Sequence, residues 1–270
     1  MTTHTKGAAL ITGASAGIGA IYADRLARRG YDLILVARSA DKLQALSERL
    51  GAETGRTIRT VVADLNNRQD LAKVEALLRE DARITLLVNN AGVGSVANLL
   101  DADVDEMEAM ISLNVTALTR LTYAAAPRFA ARGQGTLINI ASVVGISPET
   151  LNGVYGATKA YVIALSHSLQ KELADKGVRI QAVLPGATAT DFWEIAGFPH
   201  TNMPKQIVMS AEDLVDAALA GLDQGERVTI PPLQDGEEWT RWEATRRDMS
   251  GRLSNATPAA RYGLRQPATA

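Results

Sequence analysis

Three polar side chains in one register are the part of this sequence whose types and spacing could do chemistry. Tyr155 and Lys159 stand four apart in Tyr155-Gly156-Ala157-Thr158-Lys159, and on a helix that spacing puts both on one face. Ser142 follows the apolar run Thr136 to Ile140 and precedes the tyrosine by thirteen residues, so a strand end could bring it to the same point. Taken singly, each has an ordinary use: Lys159 as an exposed helix lysine, Tyr155 as a half-buried packing residue, Ser142 as a cap. Their convergence is the catalytic hypothesis, and its weight depends on what positions them.

What comes before them is a nucleotide fingerprint. Thr12 to Gly19, T-G-A-S-A-G-I-G, sits directly behind the apolar run Ala8 to Ile11. Glycines at Gly13, Gly17 and Gly19 let a backbone approach a pyrophosphate at the N-terminus of the helix they open. After the second apolar run comes Arg38, where a ribose 2'-hydroxyl would want a carboxylate and a 2'-phosphate a guanidinium fork. The edge carries no acid. Asp32 has the customary spacing from the glycines, but it begins its strand, five residues and roughly 16 Å from the ligand edge. Arg38 therefore predicts NADP(H). Asp64, after the third strand, can accept from an adenine amino group, cap a helix over Asn66 to Leu78, or do both. In Asn89-Asn90-Ala91-Gly92, small residues permit close packing around a cofactor and the amides can tie neighbouring strands.

The elements that must position these groups are seven short apolar runs: Ala8 to Ile11, Leu33 to Ala37, Ile58 to Ala63, Leu86 to Val88, Thr136 to Ile140, Ile180 to Leu184 and Val228 to Ile230. Helical segments separate them, which predicts an α/β fold with a doubly wound parallel sheet whose ligand lies beyond the strand C-terminal ends. Asp105 to Arg132 reads as one long helix, with Asn114 in it as a structural hydrogen-bonding residue or one that opens the helix around a water. Three of the 12 aromatics, Phe192, Trp193 and Phe198, fall within seven residues of the aperiodic stretch 187–204, which suggests an apolar lid. His200 in the same stretch reads as a surface residue. Ser210 with Asp213 marks a cap for a helix over Ala211 to Leu222. In Glu237 to Leu253, Trp239, Trp242, Met249 and Leu253 share a stripe that should dock on the same subunit or a partner, and Thr257 to Ala270 is expected to be mobile.

Composition narrows the classes. The 270 residues, 46% hydrophobic, suit one domain: a catalytic part over 1–230 with a helical extension over 231–270. A net charge of -2 argues against nucleic acid, and no apolar run approaches the length of a membrane helix. The chain contains no cysteine, its opening MTTHTKGAAL shows no signal-peptide core, and His4, His167 and His200 are too scattered to suggest a metal. A cytoplasmic protein without metal is expected.

With these motifs in order, the chain closely resembles the short-chain dehydrogenase/reductase family over about residues 6 to 230, and Pro185-Gly186 with Thr190 beyond extends the match. The resemblance implies a single Rossmann-type domain of strand order 3-2-1-4-5-6-7 and a tetrad of Asn114, Ser142, Tyr155 and Lys159. Tyr155 would be the acid/base, Ser142 would orient the carbonyl or hydroxyl, Lys159 would hold the nicotinamide ribose, and Asn114 would support a water-linked proton path. A free phenol has a pKa near 10, so Tyr155 needs the positive charge that Lys159 brings. Cofactor contacts are expected at Gly13, Ser15, Gly17, Ile18, Gly19, Arg38, Asp64, Asn90, Gly92, Tyr155, Lys159, Pro185, Gly186, Thr188 and Thr190. Substrate contacts are expected at Val144, Phe192, Trp193 and Phe198. The implied activity is NADP(H)-dependent interconversion of a carbonyl and an alcohol on a small hydrophobic substrate, in a homodimer or homotetramer. A catalytically idle NADPH-binding sensor or scaffold is the alternative, although mere binding requires neither Ser142 nor the Tyr155 hydroxyl.

Overall fold

Successive residues of a strand face opposite sides of its sheet, so a strand covered on both sides must be apolar throughout. The computed structural model describes residues 6–264, and in it the runs around Ala8 and Gly135 are buried along their whole length. β1 (Ala8–Thr12) leads into α1 (Gly17–Arg28), β2 (Asp32–Ala37) into α2 (Ala40–Thr54), and β3 (Ile58–Val62) into α3 (Arg68–Glu80). β4 (Ile84–Asn89) is followed by α4 (Val104–Ile111) and α5 (Leu118–Ala131), then β5 (Gly135–Ile140), α6 (Gly153–Glu172) and β6 (Val178–Val183). The short helix α7 (Phe192–Ile195), α8 (Ala211–Gln224), β7 (Val228–Thr229) and α9 (Gly236–Ser250) complete the order.

The seven strands pair in parallel in the order 3-2-1-4-5-6-7, as the resemblance implied. Ala9 and Ile11 of β1 pack with Tyr22 of α1, Leu43 of α2 and Leu214 of α8. Their neighbours Ala8 and Leu10 face the other layer, with Val74 of α3, Phe129 of α5 and Leu169 of α6. The result is a three-layer Rossmann fold, in which every strand points its carboxyl end to the same edge.

Buried amides lock the middle of the sheet. Asn89 and Asn139 lie opposite each other in the β4–β5 register, and Asn89 Nδ2 donates to Asn139 Oδ1 at 2.9 Å and to Thr122 Oγ1 at 3.0 Å. Asn139 Nδ2 donates in turn to Ser166 Oγ at 3.0 Å, which ties α6 to the same ladder.

Two local expectations need correction. The segment 105–132 is not one helix, because a π-helical turn over Ser112–Ala117 separates α4 from α5. A π turn holds one residue more than α geometry does, and here Asn114 sits in it with its amide pulled onto the Val93 backbone. Asp64 does not cap α3. Asn67 does, accepting from the amides of Gln69 and Asp70 at 2.9 and 3.2 Å, while Asp64 forms a tighter turn by accepting from Asn66 N. Ser210 caps α8 through Asp213 N at 3.0 Å.

Among the described residues, those up to 232 form one compact unit and those from 233 a second. In α9, Trp239 and Trp242 stack on each other at 4.7 Å, while Trp242, Met249 and Leu253 are exposed, which leaves docking on a partner as the surviving half of the expectation. The buried side chain of that helix is instead Glu243, paired with Arg246 at 2.8 Å and Arg247 at 3.2 Å. Of the tail expected to be mobile, 265–270 lie outside the described residues, as does His4. No helix among the described residues is long and apolar enough to cross a membrane.

Replacing Asn139 with leucine leaves one amide hydrogen of Asn89 without an acceptor and takes the donor from Ser166 Oγ, whose own hydroxyl still donates to Val162 O; an unsatisfied buried group costs about 1–3 kcal/mol. Urea unfolding of Asn139→Leu should show about 2 kcal/mol lost, and an unchanged midpoint would refute the ladder's importance.

Candidate active site

Between β1 and β4 the chain departs to opposite faces of the sheet, and the gap becomes the floor of a cavity of about 600 Å³. The fork is held by Thr12. Its hydroxyl accepts from the amides of Asn90 and Ala91, both at 3.0 Å, while Asn90 Nδ2 returns to Thr12 O at 2.9 Å and Gly13 O at 3.2 Å. Gly13 and Gly17 have φ of 65° and 52°, in the left-handed region that favours glycine. A Cβ on Gly19 would collide with the Gly13 carbonyl oxygen and Asn90 Nδ2, so α1 can start this close to the loop only with glycine there. α1 has no side-chain cap at Ala16 and no acid in its first turn, which leaves its leading amides and positive dipole end facing the cavity for an anion. These features fit a dinucleotide pyrophosphate.

Ser15, Ile18, Arg38, Asp64, Asn90, Gly92, Pro185, Gly186, Thr188 and Thr190 line the cavity together with Gly13, Gly17, Tyr155 and Lys159. Gly19 does not reach it and acts through the fit of α1 against Gly13. Arg38 stands just past the end of β2, whereas Asp32 at the strand's other end accepts from Thr57 N at 3.0 Å, as the strand geometry required. Ser39 and Lys42, at the start of α2, line the cavity beside Arg38 and were not anticipated. Their signal was available: Lys42 lies four residues past Arg38, on the first turn of a helix that begins at the ligand edge.

At the opposite end, Ser142 Oγ accepts from Val144 N at 3.2 Å and donates to Pro185 O at 3.3 Å, so it caps a short turn and fixes the β6 loop at once. Asn152 caps α6 by accepting from the amides of Val154 and Tyr155 at 2.9 and 3.1 Å. One turn on, Lys159 Nζ donates to Ile140 O at 3.0 Å and lies 5.7 Å from the Tyr155 ring centroid. Both are buried, with 6% of each exposed. Burial pushes the phenol of Tyr155 up to about 12, against a hydrogen bond with Ser142 that lowers it. Burial pushes the ammonium of Lys159 down to about 8.

Asn114 does not face the cavity. Its Oδ1 accepts from Val93 N at 3.0 Å, and its Nδ2 donates to Val93 O at 2.8 Å and to Thr158 Oγ1 at 3.1 Å. That uses its side chain to hold the loop after β4 against α6. Of the expected substrate contacts, Val144, Phe192 and Trp193 line the cavity. Phe198 does not: after Gly197, at φ 96°, its amide turns back to Trp193 O at 2.9 Å and the ring is 41% exposed. Met107 and Met110 complete the apolar cluster around Tyr155, Val144 and Phe192. His200 is half-buried in the following turn. Among the described residues, no group of three His, Cys, Asp or Glu side chains could hold a metal ion.

The family model described as short chain dehydrogenase matches residues 7–196. A solved short-chain dehydrogenase from Sphingobium yanoikuyae, in complex with NADPH, is 48% identical with a TM-score of 0.92, covering 95% of this chain and 99% of its own. The bulky-bulky ketone specific alcohol dehydrogenase from Comamonas testosteroni is 45% identical with a TM-score of 0.88, covering 96% of this chain and 99% of its own. An uncharacterised oxidoreductase of Staphylococcus epidermidis is 31% identical over 82% of this chain and 93% of its length. With motifs, strand order and matched length in agreement, this chain belongs to the short-chain dehydrogenase family and is an oxidoreductase.

Proposed function

We propose that the protein interconverts a hydrophobic ketone and its secondary alcohol with NADP(H), using Tyr155 as the acid/base. The observation that carries this reading is one cavity with Arg38 at one end and Tyr155, Lys159 and Ser142 together at the other. The NADPH in the Sphingobium structure and the ketone named for the Comamonas enzyme support it. When bound, NADP(H) supplies or accepts the hydride.

The residues divide the rest of the work. The leading amides of α1 receive the pyrophosphate, and Arg38 with Lys42 receives the 2'-phosphate. A phenol with its pKa near 12 keeps its proton at neutral pH, so in the reductive direction Tyr155 donates it to the oxygen of the carbonyl as charge develops there. Ser142 donates a second hydrogen bond to that oxygen. Lys159, still protonated below about pH 8, stabilises the phenolate that remains. Asn114 is a positioning residue that holds Val93 and Thr158, and through the π turn around it supports a water-linked proton path. Val144, Phe192 and Trp193 enclose the apolar substituents and exclude water. A cytoplasmic homodimer or homotetramer, of one catalytic domain with its helical extension, belongs to the same reading and rests on the resemblance and the lack of cysteine.

Three measurements test it. In a fluorescence titration, Arg38→Asp should weaken NADPH at least about 10-fold relative to NADH, since a charge-assisted fork is lost; an unchanged preference would count against Arg38. Tyr155→Phe should keep its affinity for NADPH and lose at least about 100-fold in kcat on any ketone the wild type reduces, because a general acid contributes that much. Near wild-type turnover would overturn the mechanism. The fall in the Lys159 pKa from 10.5 to about 8 means its charge is buried at a cost of about 3 kcal/mol, felt fully below pH 8 and gone above 10.5. Lys159→Met should therefore stabilise the cofactor-free chain at pH 7 by up to about 3 kcal/mol, with the gain vanishing toward pH 10.5, while reduction of the ketone is lost. A variant less stable than wild type at pH 7 would show that the hydrogen bond to Ile140 outweighs the buried charge.

A further inference from the structure

Gly94 is a glycine without a conformational reason, since its φ lies outside the left-handed region, and it is not among the residues lining the cavity. What it lacks is a side chain, and the space is taken. A Cβ there would stand 3.2 Å from both Cε1 and Cε2 of Phe192 and closer still to Cζ, so the tip of that ring rests on the bare backbone. The same ring is tilted against Tyr155 at 5.8 Å and meets Trp193 edge-on at 5.5 Å. Phe192 lines the cavity and Gly94 does not, which puts the ring between the two.

We infer that Gly94 is a specificity-determining residue: its missing side chain makes the socket that holds the Phe192 ring back, and the depth of that seat sets the size of substituent accepted beside Tyr155. The inference rests on the proposed ketone-reducing activity. The loop carrying the socket is not free to drift. Val96 N donates to Ala196 O of the lid at 3.1 Å, and Ala97 O accepts from Nδ2 of Asn152, the residue that caps the helix bearing Tyr155. With lid, loop and catalytic helix joined, a methyl group at position 94 is relieved by movement of the ring, and the ring's open side is the cavity. Room is lost for a large substituent more than for a small one.

The test compares a diaryl ketone with a methyl ketone in wild type, Gly94→Ala, Phe192→Ala and the double variant. Turnover is followed at the nicotinamide absorbance, and affinity for the diaryl carbinol is measured separately by calorimetry. Gly94→Ala should raise the KM of the diaryl ketone at least about 10-fold and leave that of the methyl ketone within about 3-fold, with the dissociation constant for NADPH unchanged. Phe192→Ala should shift selectivity toward the diaryl ketone, and adding Gly94→Ala to it should change nothing further. An effect of Gly94→Ala that persists without the Phe192 ring overturns the socket, as does an unchanged selectivity in Phe192→Ala, which holds even if Gly94→Ala fails to fold. Carbinol affinity that Gly94→Ala weakens only while the Phe192 ring is present, in a protein that reduces neither ketone, would uphold the socket and sink the proposed function. Turnover with selectivity unaltered would do the reverse.

Discussion

The hydrogen bonds of Thr12 hold open the place where everything else is assembled. Parallel strands deliver their ends to one edge, but a binding site needs a gap there, and a gap exposes backbone groups that would otherwise pair. A single buried hydroxyl serves the amides of Asn90 and Ala91, and the Asn90 side chain serves the carbonyls of Thr12 and Gly13. The loops are thereby satisfied without being closed. α1 can then point its dipole into the opening, and the chain after β4 can run across to Asn114 and to Ala196 at the end of α7.

The buried ammonium of Lys159 has the opposite character. It is held by one carbonyl, close to a phenol that burial has made a weaker acid, and burial disfavours the charged form of both. The rest of the fold must carry that expense, and the amide ladder through Asn89, Asn139 and Ser166 lies under the same helix. Rigid support beneath and an uncompensated charge above are what a site needs if its electrostatics are to be ready before the reaction begins.

The sheet and the two ends of the site were legible because their physics is local. Apolar runs of strand length, glycines where only glycine fits, and a tyrosine and lysine one turn apart carry their meaning in neighbouring residues. Strand order came from resemblance, since periodicity says nothing of which strand pairs with which. What went unread depends on contacts between distant segments. Lys42 matters through the position of Arg38, and Phe198 was grouped with Phe192 until the turn at Gly197 carried it outward. The interruption at Asn114 answers to Val93, twenty-one residues away. Gly94 is the extreme case, because an absent side chain leaves no pattern at all.

The π turn at Ser112–Ala117 also bears on how the gene can vary. A helix that holds one surplus residue can shed it and become regular, because the wide turn absorbs the extra residue and leaves the helix beyond it in phase. A single-codon deletion within this turn would therefore keep Leu121 and Phe129 of α5 in the layer they fill. Its cost would fall on the turn itself, where Asn114 would lose its fit against Val93. A second deletion would have no surplus to draw on and would turn everything downstream by about 100°, even though no side chain in these six residues lines the cavity except Leu113.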